Sequence, residues 1–182
     1  MVKTIIKQIS LIIGLISILA GLYVLYHVFS PEIEYRLDKP DTAKIIRAIE
    51  EQEDLSQNRL IIPSIGVDME IGTDRKYLDN GGWIQRLDES NNPDLIAIHR
   101  FGWSTLSPDQ KMKQTLYHVD KLNKGDNVYI IWNGEKYKFQ IDEITEDKNN
   151  PDFNNKTILY TCKFMLSRLR YFVLLDKVEI KK

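Results

Sequence analysis

The chain has 182 residues, of which 28% are charged and 43% hydrophobic, and its formal net charge is −1. This length allows one domain and hardly a second, and the apolar fraction is too high for a disordered chain. The near-neutral charge argues against a protein that binds nucleic acid by neutralising phosphates. The single cysteine, Cys162, excludes an internal disulfide framework and a cysteine-rich zinc site.

The N-terminal segment is apolar and long. Residues Ile9 to Phe29 include no Asp, Glu, Lys or Arg, and as a helix they would span about 31 Å, the thickness of a bilayer's hydrocarbon core. Lys3 and Lys7 precede the segment, so a cytoplasmic N-terminus is expected, with the rest of the chain outside. A cleaved signal peptide is the alternative, although the apolar run is longer than a typical signal core.

Residues 30–57 are predicted to form a stalk. Pro31 is expected to interrupt helical structure there. Asp41 can cap a short helix that reaches Glu53. One face of that helix would carry Ile45, Ile46 and Ile49.

From Asn58 onward the sequence predicts β structure, because short apolar runs alternate with turn signals. The predicted strands are Arg59–Pro63, Ile65–Ile71, Leu95–Ile98, Val128–Trp132, Glu135–Ile141, Thr157–Cys162 and Arg170–Leu175, the last with a possible continuation over Val178–Ile180. Asn133-Gly134 is the favoured pair for a two-residue type I′ hairpin turn. Outside the stalk, helical room is left at Ser107–Val119. So many short strands indicate a closed or sandwiched antiparallel β domain.

Cys162, at the end of the apolar strand TILYTC, has two interpretations. It is a buried structural thiol, or it is used as a nucleophile, because an unpaired thiol outside the cell is open to oxidation. A nucleophilic cysteine reacts as the thiolate and therefore needs positive charge nearby.

His99 is the histidine best placed to act with a cysteine. It ends a buried strand and opens into a loop, where rigid scaffolds present catalytic groups, although a structural role is the alternative. His27 lies at the predicted membrane edge. His118 lies in a mixed polar and apolar stretch, where a structural or exposed position is expected.

Arg170 follows Cys162 after seven intervening residues, which fits a short connection between antiparallel strands. Facing residues in such a pair have Cβ atoms about 5 Å apart. Arg170 can therefore reach the cysteine and offer its donors to an oxyanion. Arg168 would share that face if it also lay on the strand, and a solvated surface charge is the alternative for each arginine.

These residues and their surroundings resemble the sortases, which are membrane-anchored cysteine transpeptidases of bacterial surfaces. The resemblance runs from about Asn58 to Val178. Its motifs are RLIIPSIGV (59–67), NGGW (80–83), LIAIHR (95–100), LYHVDKLNKGD (116–126), TILYTC (157–162) and RYFV (170–173). Ile98 stands where the family has glycine and is expected to reshape the wall beside the imidazole. The short segment 142–156 suggests a different or looser preference for the sorting signal.

The resemblance implies a mainly β fold, a sortase-type closed β-barrel of about eight strands with short helices, together with one N-terminal transmembrane helix. The chain would then comprise a cytoplasmic N-terminus (1–8), a transmembrane anchor (9–29), the stalk (30–57) and an extracytoplasmic catalytic domain (58–182). It would be a single-pass protein of the cell membrane.

The activity implied by the resemblance is that of a thiol protease and transpeptidase. Cys162 would attack an LPXTG-like C-terminal sorting signal of a secreted protein and form a thioester. His99 would act as general acid and base, and Arg170 would stabilise the oxyanion, with Arg168 as second choice. The acceptor would be an amine, from a wall precursor or a pilin lysine, and no cofactor, metal or nucleic acid is expected.

Two other classes of function remain open at this point. A membrane-anchored cysteine hydrolase would form the same acyl-enzyme and release it to water. A surface-binding β-barrel would perform no chemistry.

Overall fold

The computed structural model describes residues 2–37, 39–101, 107–147, 156–164 and 167–178. Within these ranges the α-helices are α1 (Val2–Leu37), α2 (Thr42–Glu50) and α3 (Pro108–Gln114). The strands are β1 (Arg59–Ile62), β2 (Val67–Gly72), β3 (Gly82–Leu87), β4 (Pro93–Ile98), β5 (Asn127–Trp132), β6 (Glu135–Asp147), β7 (Thr157–Cys162) and β8 (Arg170–Val178). Short 3₁₀ turns lie at Pro63–Ile65, Arg75–Leu78 and Val119–Lys121.

The strands of the described residues close into one barrel in the order β1-β2-β3-β4-β7-β8-β6-β5, and β5 returns to β1. The pairs β2–β3 and β4–β7 are parallel, and the other neighbours are antiparallel. Alternate apolar side chains, such as Ile96, Leu159 and Val173, fill the interior. The prediction of a closed barrel of about eight strands with short helices is confirmed.

The hairpin between β5 and β6 has the predicted turn. Asn133 and Gly134 have φ angles of 53° and 81°, as both central residues of a type I′ turn require. Asparagine and glycine adopt this left-handed backbone at low cost. The turn sets the register, in which Trp132 lies opposite Glu135.

Two bulges explain where the predicted strands differ from the observed ones. Strand β3 was not predicted, because a bulge between Ile84 and Arg86 shifts the alternation and Leu87 returns to the core. Strand β6 does not end at Ile141. A bulge after that residue lets Ile144 pack against the core, and the strand continues to Asp147.

Ile98 faces the inside of the barrel, where it is 3% exposed. It lies opposite Gly82 of β3, and a Cβ atom added to Gly82 would lie 3.5 Å from Cγ1 of Ile98 and 2.9 Å from Cγ2 of Ile71. The glycine thus makes room for Ile71 and Ile96, whereas its distance to Ile98 is an ordinary packing contact. The expectation that Ile98 forms a wall beside the imidazole is wrong, since successive side chains of a strand point to opposite faces.

Helix α1 is continuous through Pro31, so the predicted break there is wrong. A proline removes one backbone hydrogen bond, but the last turns of this helix pack against the barrel domain and thereby compensate for the loss. Ser30 is buried, and the ring of Tyr35 lies 4.3 Å from the ring of His118.

The same end of α1 carries a carboxylate that faces two basic side chains. An oxygen of Glu32 lies 3.7 Å from Nδ1 of His118, and its other oxygen lies 3.9 Å from Nζ of Lys121. His118 is 2% exposed, so of the structural and the exposed positions expected for this histidine, the exposed one is excluded.

None of the residues in the apolar part of α1, Lys7–Tyr26, whose burial is described is buried against the rest of the described chain. Its length and composition are those of a helix that crosses a bilayer. It is therefore a candidate membrane span.

Helix α2 is capped as predicted, because the carboxylate of Asp41 accepts a hydrogen bond from the backbone N–H of Lys44. It ends at Glu50, earlier than the predicted Glu53. Its apolar residues Ile45, Ile46 and Ile49 pack on the outer barrel residues Ile61, Tyr129 and Ile131. Residues 42–50 of the predicted stalk therefore pack directly against β1 and β5.

Candidate active site

Cys162 and Arg170 meet across the antiparallel pair β7–β8. Cys162 is the last residue of β7, Arg170 is the first residue of β8, and the two lie directly opposite each other. Nη1 of Arg170 donates a hydrogen bond to Sγ of Cys162 over 2.7 Å. The contact that was predicted from the short connection is thus present, and the thiol is partly exposed.

Arg168 lies before β8 begins and its side chain is exposed. It therefore does not share the strand face of Arg170. Of the two arginines that the sequence offered, Arg170 is the one in contact with the cysteine.

His99 follows the last residue of β4, beside β7. The two strands are parallel, with Ala97 opposite Tyr160. His99 and Cys162 each lie two residues beyond this last pair. Because strand side chains alternate, both residues face outward at the same end of the barrel, where Cys162 also contacts Arg170.

Burial sets the protonation of His99. The side chain is partly buried, and loss of hydration lowers its pKa below the usual value, while the carboxylate of Asp79 acts in the opposite direction. The neutral imidazole therefore predominates at neutral pH. A neutral imidazole can accept a proton from a thiol or an amine.

We expect His99 to make the folded protein less stable in mild acid. Because its pKa is lower in the folded than in the unfolded chain, the unfolded chain binds more protons below about pH 6.5, and stability falls as the pH decreases through this range. The His99→Gln variant lacks this penalty. The Tm of the variant minus the Tm of the wild-type protein should therefore increase as the pH is lowered from about 7.5 to 5. Tm is measured against pH on both proteins in detergent. A difference in Tm that does not change with pH would contradict the expectation.

An aromatic pair lies beside the cysteine and the arginine. Tyr160 of β7 and Phe172 of β8 lie opposite each other on the same face of the sheet. Their rings are stacked, with the ring centres 5.8 Å apart. The hydroxyl of Tyr160 donates to Oε1 of Gln85 over 2.7 Å. Tyr160 is partly exposed, so the surface next to the thiol is apolar in character.

Arg100 is a residue near the site to which the sequence analysis gave no role. Its guanidinium donates to the carbonyl oxygen of Lys163 over 2.6 Å and to that of Tyr117 over 3.4 Å, and it pairs with Asp120 over 3.2 Å. These partners are distant in sequence. The signals in the sequence are that Arg100 follows the site histidine and ends the motif LIAIHR (95–100).

A cavity of about 630 Å³ lies at the opposite end of the barrel, near Pro93, Thr157 and Leu175, away from the three site residues. Across the residues that the structure describes, no three His, Cys, Asp or Glu side chains are grouped to hold a metal ion. Much of the short segment 142–156, namely residues 148–155, lies outside the described residues, so its predicted effect on sorting-signal preference stays a prediction.

Comparison of the sequence with protein-family models and with curated proteins gives no match. Solved structures do match. Sortase C of Streptococcus pneumoniae is 22% identical, with a TM-score of 0.51 over 68% of this chain and 69% of that one. Sortase C1 of Streptococcus agalactiae is also 22% identical, with a TM-score of 0.52 over 68% of each chain.

Sortase A of Corynebacterium diphtheriae is similar to the same extent. It is 21% identical, with a TM-score of 0.51 over 69% of this chain and 61% of that one. Proteins of both the A and the C type thus share the barrel described above. This chain has the sortase fold.

Proposed function

We propose that this chain is a membrane-anchored cysteine transpeptidase of the sortase type. The observation that carries the proposal is the hydrogen bond from Arg170 to the thiol of Cys162. An arginine with a purely structural role usually pairs with a carboxylate or a carbonyl oxygen. The guanidinium of Arg170 is instead directed at a partly exposed sulfur.

In the first half of the proposed reaction, neutral His99 takes the proton of the thiol. The thiolate of Cys162 then attacks the carbonyl carbon of a threonine in the sorting signal. Arg170 lies beside the sulfur and donates hydrogen bonds to the oxyanion that forms there. The C–N bond breaks, His99 returns the proton to the leaving amine, and an acyl thioester remains on Cys162.

In the second half, an amine acceptor attacks the thioester. His99 is neutral again and removes a proton from the amine as the new C–N bond forms. The C–S bond breaks, and the sulfur recovers its proton from His99. Because the histidine and the cysteine interact, a pH–rate profile reports values that belong to the pair.

The substrate inferred for this chain is a secreted protein with an LPXTG-like C-terminal sorting signal. The partly exposed ring of Tyr160 offers an apolar contact beside the thiol for such a peptide. The similar sortase C of S. pneumoniae has pilin substrates. The inferred acceptor is an amine of a wall precursor or a pilin lysine, so that the product is a protein attached to the cell surface or built into a pilus.

The exposed apolar helix supports anchoring in the cell membrane. We infer a single span with residues 1–8 in the cytoplasm, 9–29 in the bilayer, and the segments 30–57 and 58–182 outside. This orientation follows from Lys3 and Lys7, which precede the span.

The test uses the full chain in detergent with an LPXTG-containing peptide and triglycine. We expect an acyl adduct on the protein and a ligated peptide product, both identified by mass spectrometry. Because the chain has one cysteine, a thioester mass assigns the adduct to Cys162. Peptide cleavage without ligation would indicate a hydrolase, and peptide binding without an adduct would indicate a non-enzymatic binding barrel. Either result would overturn the proposal.

A further inference from the structure

The backbone pairing of β4 with β7 ends before it reaches the site. The last paired residues are Ala97 and Tyr160. His99 and Cys162 both lie two residues beyond this pair, so the strand ladder does not hold them together. Another contact has to fix the distance between an imidazole and a thiol that exchange a proton.

We propose that Arg100 provides this contact. It is a positioning residue that holds the ends of β4 and β7 at a fixed separation. Arg100 follows His99, and its Nη1 donates to the backbone carbonyl of Lys163, the residue that follows Cys162, over 2.6 Å. One side chain thus joins the two residues next to the proposed acid–base group and nucleophile. The inference rests on the proposed function for the roles of His99 and Cys162.

The guanidinium of Arg100 is itself held from several sides, and its side chain is only 14% exposed. Nε donates to the carbonyl of Tyr117, and Nη2 pairs with Asp120. The same loop is bonded to the histidine, because the N–H of Leu116 donates to the carbonyl of His99 over 2.9 Å. The arginine therefore ties the cysteine strand to a loop that also fixes the histidine backbone.

Arg100 also contacts β8, the third strand of the site, through an aromatic ring. The guanidinium of Arg100 lies 5.1 Å from the ring centre of Tyr171, the residue after Arg170. Nζ of Lys163 lies 5.7 Å from the same ring. Such cation–π contacts are favourable, and the three residues form a layer directly behind His99, Cys162 and Arg170.

Because this layer lies behind the site residues, its loss should affect the chemical step and not the binding of substrate. Tyr171 packs against the barrel core, so Arg100 lies on the inner side, whereas His99 and Cys162 face outward. Loss of the contacts of Arg100 should change the distance between the imidazole of His99 and the sulfur of Cys162. The outward face that would bind the peptide should stay in place. Misplacement by about 1 Å can reduce the rate of a chemical step about 100-fold.

The first test compares Arg100→Gln and Arg100→Lys with the wild-type protein in the ligation assay. We expect kcat to fall about 10- to 100-fold in both variants, with KM within about twofold of the wild-type value. Lysine keeps the charge but lacks the planar fork that reaches several acceptors. Recovery of the wild-type kcat in Arg100→Lys, or a rise in KM at unchanged kcat, would overturn the proposal.

Arg86→Gln provides the matched control. Arg86 also bonds a residue of β4, Asp94, but at the end of that strand far from the site. We expect its kcat and KM to stay within about twofold of the wild-type values. The folded fraction of every variant is measured by circular dichroism. A fall in kcat of the Arg100 variants that matched their loss of folded protein would also overturn the proposal.

A second measurement needs no turnover and therefore separates this proposal from the proposed function. Hydrogen exchange is followed at the amides of Leu116 and Lys163, which bond the carbonyls of His99 and Leu169. In Arg100→Gln both amides should exchange at least about tenfold faster. The amide of Gly125, which bonds Ile141 elsewhere in the barrel, should be unchanged.

A wild-type protein that turned over no sorting peptide would overturn the proposed function, and the exchange rates would still decide whether Arg100 ties the strand ends. Unchanged exchange at Leu116 and Lys163 would overturn the role of Arg100, whether or not the protein is active.

Discussion

Replacing Cys162 with alanine is expected to abolish both the acyl adduct and the ligated product. In the proposed reaction the sulfur is the atom that forms the covalent bond, and it is the atom to which Arg170 donates its hydrogen bond. Removal of a nucleophile costs about 10⁴-fold or more in kcat. Ligation and adduct formation are measured on the full chain, as for the wild-type protein.

The Tm of Cys162→Ala controls for unfolding. The thiol is partly exposed, so a small cavity term and a Tm within about 4 °C of the wild-type value are expected. Ligation at the wild-type rate by this variant would contradict the assignment of the nucleophile, and a ligation-dead variant that had also unfolded would be replaced by Cys162→Ser.

Arg170→Lys is expected to reduce kcat about 100-fold, because loss of one donor to an oxyanion typically costs this much. Lysine keeps a positive charge near the sulfur but cannot reproduce the geometry of two guanidinium donors on adjacent nitrogens. The rates of adduct formation and of ligation are measured separately. Both steps pass through an oxyanion, so both should slow.

Arg168→Lys is the matched control, since it makes the same chemical change two residues away, outside β8. Its rates should stay within about twofold of the wild-type values. The opposite pattern, with Arg168→Lys impaired and Arg170→Lys unaffected, would give the role of oxyanion stabiliser to Arg168.

The regular alternation of most strands was sufficient to predict a β domain, closed or sandwiched, and the resemblance to the sortases supplied the closed barrel that is observed. Strand β7 has the predicted bounds Thr157–Cys162, and the turn at Asn133-Gly134 has the predicted backbone. Prediction failed where two bulges shift the alternation, in β3 and β6. A bulge depends on how a strand meets its neighbour, which is not visible in one strand's sequence.

Helix α1 shows a second reason why prediction from sequence fails. Local propensity predicts a break at Pro31, and the structure has none, because tertiary packing of Tyr35 against His118 outweighs the propensity. Such a contact joins residues that are far apart in the chain. It could not be derived from either segment alone.

For the candidate site, the contact between Cys162 and Arg170 was predictable because a short connection restricts how two strands can pair. The position of His99 was only suggested by its place at a strand end. Its neighbourhood with Cys162 depends on the parallel pairing of β4 and β7. The bonds of Arg100 were not predictable, since its carbonyl partner lies 63 positions along the chain.

The continuity of α1 also determines how far the barrel can reach. Only about 5 Å of helix separates Phe29, the last residue of the inferred span, from Glu32, at 1.5 Å per residue, and Glu32 already contacts His118 and Lys121. With residues 9–29 in a bilayer, as inferred above, the helix acts as a short rigid connection between the membrane and the barrel. The barrel can then move only a short way from the lipid surface. Under the proposed function, donor and acceptor proteins therefore have to reach it at a nearly fixed height above the membrane.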